Sequence, residues 1–213
     1  INTSFLRGKT IKSVCWNHKS EVLYAGGFDG LYSIDMTGKT RESKTLLNEK
    51  NVNTVWIPAD TEGTIWAGCD DGLYVFSDAE KTWRKQDLTF DSLKINTVCG
   101  SSDAMVIFLA TGKGLFSSYD GGEHYFLTDK TLSNDSCMDI FMREPYVVSL
   151  FSNGSVYWKK INELKWNRLI AVDYPAWSIF LDADGLLYLG SNGYGLARIS
   201  LIDQQVTQDI PGI

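Results

Sequence analysis

Histidine is nearly missing from this chain: His18 and His124 are the only two in 213 residues. They stand far apart, which argues against a zinc site built on imidazoles; His124 reads instead as an exposed or capping residue of its turn. Cysteine is scarce as well. Cys15, Cys69, Cys99 and Cys137 form no C-x-x-C pair, so neither a thiolate cluster nor a disulfide framework is expected, and the four read as free thiols packed as small hydrophobes. Basic excess is absent, with 20 Lys and Arg against 26 Asp and Glu and a net charge of −6. A general nucleic-acid surface would need the opposite balance. Apolar runs extend only a few residues, far short of the roughly 20 that a membrane-crossing helix requires. No stretch keeps a 3.6-residue period for about a dozen residues, which excludes stacked helical repeats.

What the chain does have is glycine, aromatics and a beat. "LYAGGFDGLYSI" (23–34) aligns without a gap on "IWAGCDDGLYVF" (65–76), and "IFLATGKGLFSS", "VSLFSNGSVYWK" and "LYLGSNGYGLAR" continue the series. The marker glycines are Gly30, Gly72, Gly114, Gly154 and Gly195, in steps of 42, 42, 40 and 41. A short opening segment keeps the same spacing: "IKSV", "VNTVW", "INTV", "CMDIF" and "AWSIF". Weaker closing segments follow, clearest in "KTWRKQDL" and "LKWNRLI". Val, Ile, Tyr, Trp and Phe bounded by Gly, Asp and Asn read as half-buried strands. The Asp-Gly and Asn-Gly pairs supply the positive φ that a tight two-residue hairpin needs, with the tips expected at Phe28-Asp29, Asp70-Asp71, Lys113, Asn153 and Tyr194.

Four short antiparallel strands per roughly 40 residues is the period of a β-propeller blade. One blade exposes two apolar faces, and only neighbours on both sides bury them. The expected fold is therefore all-β, a β-propeller of about five four-stranded blades at 11–47, 52–88, 95–132, 137–170 and 176–210. Both end blades look complete, while "SFLRG" near the start and "IPGI" at the end read as pieces of further blades. The expectation is thus a fragment of a larger, seven-bladed propeller, with a closed five-bladed ring as the alternative. An open form would leave apolar blade faces exposed and associate as a homodimer. No signal sequence is legible at Ile1, where an earlier segment is expected to have been removed.

The unit from Val52 to Lys85 resembles the two-component-regulator propeller repeat, through Asn53-Thr54-Val55, Asp60, Gly63, Ile65-Trp66, Gly68, Gly72-Leu73 and Tyr74. The last unit resembles it through Ser178-Ile179, Asp182, Asp184-Gly185, Leu187-Tyr188, Gly190 and Gly195-Leu196, whereas the third and fourth depart most. "SSYDGGEHYF" is also similar to the Asp-box turn of sialidase-type and sortilin-type propellers, through Ser118, Asp120, Gly122 and Tyr125, and "FSDAEKTW" is so in part. Such a turn is structural: the carboxylate takes backbone N–H bonds. The first resemblance implies the periplasmic, ligand-sensing part of a membrane-bound hybrid histidine kinase, with a small-molecule or oligosaccharide ligand, no cofactor, and a kinase domain elsewhere in the full-length protein.

No catalytic constellation is legible. The G-x-S-x-G, H-E-x-x-H and phosphate-cradling motifs are absent, and Asp70-Asp71 reads as a turn rather than an acid–base pair. The chain reads as non-enzymatic, with neither nucleic-acid nor membrane contact of its own. The alternatives are a non-catalytic protein-interaction or assembly propeller and, third, a lyase on a propeller scaffold. Propellers bind at hairpin tips and inter-blade connections, so the expected ligand contacts are Asp29, Asp71, Lys113, Asn153, Tyr174, Trp177 and Tyr194, with no metal. Inter-blade packing is the competing role for each.

Overall fold

The glycine-punctuated repeats fold into five four-stranded antiparallel sheets, each meandering in sequence order. The structure, a computed structural model, describes residues 6–37, 43–61, 63–88, 93–129, 132, 135–201 and 206–207. The first sheet holds β1 (Ile11–Asn17), β2 (Val22–Gly27), β3 (Gly30–Asp35) and β4 (Ser43–Asn48). The second holds β5 (Val52–Trp56), β6 (Ile65–Cys69), β7 (Gly72–Ser77) and β8 (Thr82–Lys85). The third holds β9 (Ile95–Gly100), β10 (Ile107–Thr111), β11 (Gly114–Ser118) and β12 (Phe126–Leu127). The fourth holds β13 (Cys137–Arg143), β14 (Tyr146–Phe151), β15 (Ser155–Lys160) and β16 (Asn167–Ala171). The fifth holds β17 (Ala176–Leu181), β18 (Leu186–Ser191), β19 (Leu196–Ser200) and β20 (Val206–Thr207). No α-helix occurs among the described residues. Ser4 and Phe5 of the "SFLRG" segment and all of "IPGI" lie outside the described residues.

The chain divides into two compact units, one of Ile1–Val98 with Ser102–Met105, the other of Cys99–Ser101 with Val106–Ile213. In the first unit, Leu31 of the first sheet packs with Val52, Val55, Ile65, Ala67 and Cys69 of the second. Small residues make this approach possible. A Cβ on Gly26 would stand 2.6 Å from Val52 Cγ1, and one on Gly68 2.6 Å from both Thr54 Cγ2 and Ile95 Cγ2. In the second unit, Val148, Leu150 and Val156 meet Ile179, Leu181, Leu187 and Leu189, while Phe108, Ala110 and Leu115 meet Ile140, Val147 and Phe151.

The half-buried reading fails for the second strand of the middle sheets: β6 and β10 are buried at every position. A strand whose side chains are buried on both faces shows no polar-out alternation. The hairpin tips fall where the sequence reading puts them. Gly27 pairs with Gly30, and Cys69 with Gly72, so the loop residues are Phe28-Asp29 and Asp70-Asp71. The positive φ falls on the glycine that opens the next strand, +152° at Gly30 and +138° at Gly72. All five marker glycines share a positive φ, which explains why this position cannot drift in type.

A third regularity is polar. The opening strands of the first, second, fourth and fifth sheets shift register at their second residue: Ile11/Ser13, Val52/Thr54, Cys137/Asp139 and Ala176/Ser178. The residue after the bulge reaches the next sheet. Ser13 Oγ accepts from the Val55 amide at 3.0 Å, and Asp139 Oδ2 accepts from the Ile179 amide at 2.9 Å. Ser13 and Asp139 at this repeat position thus clamp neighbouring sheets.

Candidate functional site: the hairpin-tip rim

The backbone places each hairpin tip against the connection that enters its own sheet. The residue just before the opening strand accepts a tip amide: Phe28 N–H donates to Thr10 O at 3.2 Å, and Asp70 to Asn51 O at 3.1 Å. In the second unit, Ser152 donates to Ser136 O at 2.9 Å and Asn192 to Pro175 O at 3.2 Å. One residue further back, a side chain closes over the tip. Lys9 pairs with Asp29 at 2.5 Å and Lys50 with Asp71 at 2.7 Å. Asn153 Nδ2 donates to Asp135 Oδ2 at 2.7 Å, and Tyr174 stacks on Tyr194 with centroids 5.5 Å apart and planes 16° from parallel. The same clasp is written as two ion pairs, an amide–carboxylate bond and an aromatic stack.

Five of the seven expected contact residues, Asp29, Asp71, Asn153, Tyr174 and Tyr194, therefore occupy equivalent clasp positions. Lys113 occupies the tip position of the third sheet, where its own amide donates to Thr111 Oγ1 at 3.1 Å; the place two before that sheet's opening strand holds the apolar, buried Leu93. Trp177 lies on β17 and is 56% exposed. Asp29 and Asp71 belong to the first unit and the other five to the second, and each group is a feature of its own unit.

In the first unit the clasps are repeated triads. Asp71 also accepts from the Tyr74 hydroxyl at 2.9 Å, and Lys50 stands over the Tyr74 ring at 5.1 Å. Lys9 stands over the equivalent Tyr32 at 5.5 Å. Partial burial pushes the Asp71 carboxyl up, but bonds from Lys50 and Tyr74 and the charges of Lys50 and Lys85 outweigh it and hold the group below the usual carboxylate range. The hydrogen bond to Asp71 correspondingly raises Lys50 well above a free lysine.

Beside the triads runs a network that sequence reasoning missed. Lys12 Nζ bonds Asn51 Oδ1 at 2.7 Å and Asn53 Oδ1 at 2.8 Å and stands 4.2 Å from the centre of the exposed Phe28 ring. Asn51 and Asn53 turn their amide donors to the two oxygens of Asp70, and Lys94 stands 3.8 Å from Asp70 Oδ1. Burial raises the Asp70 carboxyl, and the amides of Asn53 and Asn51 with the charges of Lys94 and Lys12 reverse the direction. Lys12 is lowered, by desolvation first and by the charge of Lys94, against the pull of Asp70. The missed signal was positional: Lys12 and Asn53 share the second place of their opening strands, and Lys9, Lys50 and Asp135 share the place two before the strand begins.

Asp70 and Asp71 point to separate partners and flank no common space. Among the described residues, Asp120, Glu123 and His124 bring ligand atoms within 4.8 Å of one another. Asp120 is already engaged: Oδ1 accepts from the Ser118 hydroxyl at 2.7 Å and the His124 amide at 3.0 Å, and Oδ2 meets His124 Nδ1 at 2.7 Å. Tyr125 is buried behind this turn. The tips of the first unit thus carry ion pairs, and those of the second an amide–carboxylate bond and an aromatic stack.

Comparison with known proteins identifies the fold. No family model matches the chain, and no curated protein matches it. Among solved structures, the WD40 β-propeller domain of Doa1 superimposes with a TM-score of 0.74 at 14% identity, over 95% of this chain and 69% of that one. The extracellular domain of a putative hybrid two-component system from B. thetaiotaomicron gives 0.73 at 18% identity, over 96% of this chain but 31% of that one. YCF48 bound to D1 peptide gives 0.67 at 14% identity, over 94% and 68%. The chain has the β-propeller fold.

Proposed function

We propose that this propeller is the ligand-sensing part of an extracytoplasmic bacterial two-component receptor and that it recognises an oligosaccharide at its hairpin-tip rim. One observation carries the ligand class: Tyr174 and Tyr194 stack nearly parallel while Tyr194 remains 69% exposed. A preformed aromatic shelf, held by a backbone bond from Asn192 to Pro175, offers an apolar face to a sugar ring without ordering cost on binding. Trp177, exposed on the adjoining strand, supplies a second face of the same kind. The likeness to a two-component extracellular domain and the repeat resemblance support the receptor context. Among the described residues the tips carry no nucleophile–base pair, and the reading is non-catalytic.

Calorimetric titration with a panel of neutral oligosaccharides tests this. Saturable binding is expected, and Tyr194→Ala should weaken it about tenfold, the worth of an aromatic contact of about 1.5 kcal/mol. Absence of binding across the panel, or an unchanged affinity in Tyr194→Ala, would count against it.

A second reading, a protein-interaction propeller, is favoured by β12. This edge strand exposes Phe126 at 60% and Leu127 at 40%, and an apolar edge is a template for strand addition. Loss of partner capture on Phe126→Lys, with sugar binding absent, would favour it.

A further inference from the structure

At the end of the first unit opposite the tips, the turn Asn17–Ser20 and the residues Pro58, Ala59, Thr61 and Gly63 line a cavity of about 580 Å³, within the 300–1,000 Å³ usual for small-molecule sites. We propose that it is a second ligand site, for a neutral hydroxyl-bearing ring such as a single sugar unit. It does not depend on the tip-rim reading.

Trp16 supplies the platform. Its indole N–H donates to His18 Nδ1 at 3.0 Å with the rings 84° apart. The imidazole therefore sits at the indole's N–H edge and covers neither face. Accepting at Nδ1 leaves the ring hydrogen on Nε2, so His18 offers a donor. Tyr24 offers a hydroxyl that bonds no other described residue. Asp78 closes the wall: Lys81 bonds Oδ1, at 2.5 Å, and among the described residues the other oxygen is unengaged. Its position requires Gly63: a Cβ there, at φ +70°, would fall 2.1 Å from Asp78 Cβ. The Lys81 pairing offsets the carboxylate charge, so a cationic ligand gains little, and Lys19 stands among the lining residues. Aromatic faces, two neutral hydrogen-bonding groups and one accepting oxygen match a ring with one apolar face and several hydroxyls.

The test follows the Trp16 indole N–H resonance by heteronuclear NMR during titration with methyl glucoside, methyl galactoside, methyl mannoside and N-acetylglucosamine. A saturable shift with at least one probe is expected. Tyr24→Phe, which removes a hydroxyl without a partner among the described residues and keeps the ring, should weaken that binding about tenfold, as for one lost hydrogen bond, at unchanged melting temperature. Trp177→Ala should leave this shift intact, which separates the cavity from the tip rim. No saturable shift with any probe, or equal affinity in Tyr24→Phe, overturns the proposal.

Discussion

Glycine substitutions rank according to what a new Cβ would strike. At Gly154, φ is +79° and a Cβ would stand 2.0 Å from the Val172 carbonyl oxygen, a backbone atom. At Gly72, φ is +138° but the nearest atom is Lys85 Cε at 2.9 Å, the end of a flexible chain. Left-handed backbone costs a side chain about 1–2 kcal/mol, and the backbone clash adds to this at Gly154 alone. Gly154→Ala should therefore destabilise most, Gly72→Ala less, and Asp71→Ala least, since a part-exposed ion pair is worth about 0–1 kcal/mol. Urea titration of the three variants checks the order. Asp120 makes a pH prediction. The His124 amide, then the Ser118 hydroxyl and the His124 ring, bind its ionised form and hold the carboxyl well below the usual range. A depressed folded value stabilises the fold above the ordinary aspartate pKa of about 3.9, and this contribution fades as pH falls below it. Asp120→Asn should thus melt lower than the parent at pH 7 and converge with it as pH drops below about 4; a gap independent of pH would contradict this.

Between elements, the clamps at Ser13 and Asp139 set a prediction of their own. Asp139→Ala leaves the Ile179 amide without its 2.9 Å acceptor, and Ser13→Ala does the same to Val55. An orphaned part-buried amide costs about 1–3 kcal/mol, more when the lost partner is charged, so Asp139→Ala should exceed Ser13→Ala in a thermal melt. Hydrogen exchange should localise the two losses to β17 and β5. Both positions were visible in the repeat as "IKS" and "CMD", yet their role was not, because an acceptor's partner lies about 40 residues away. Strand existence, by contrast, needed only local pattern and turn glycines.

For the whole molecule, cysteine offers a readout of integrity. All four thiols are free. Burial pushes Cys69 up to about 12 and Cys137 well above an ordinary thiol, and burial likewise raises Cys15. A disulfide reagent at neutral pH should react slowly with the native protein and reach all four thiols per chain in denaturant, since the thiolate is the nucleophile; rapid native reaction of more than one would contradict the packing. Sequence alone determined the all-β class, the five-fold repeat, the marker glycines and the free thiols, because each rests on period, local turn geometry or spacing. It marked most of the tip rim for the same reason, since tips are turns. Only the tertiary structure decided the rest. The continuous burial of β6 and β10, the Lys–Asp–Tyr clasps, the Lys12–Asn53–Asp70 network and the Trp16 cavity all join residues from separate strands or sheets. One chain's local pattern does not record how closely a neighbouring sheet approaches; the small residues Gly26 and Gly68 allow that approach, and the packing they admit sets it.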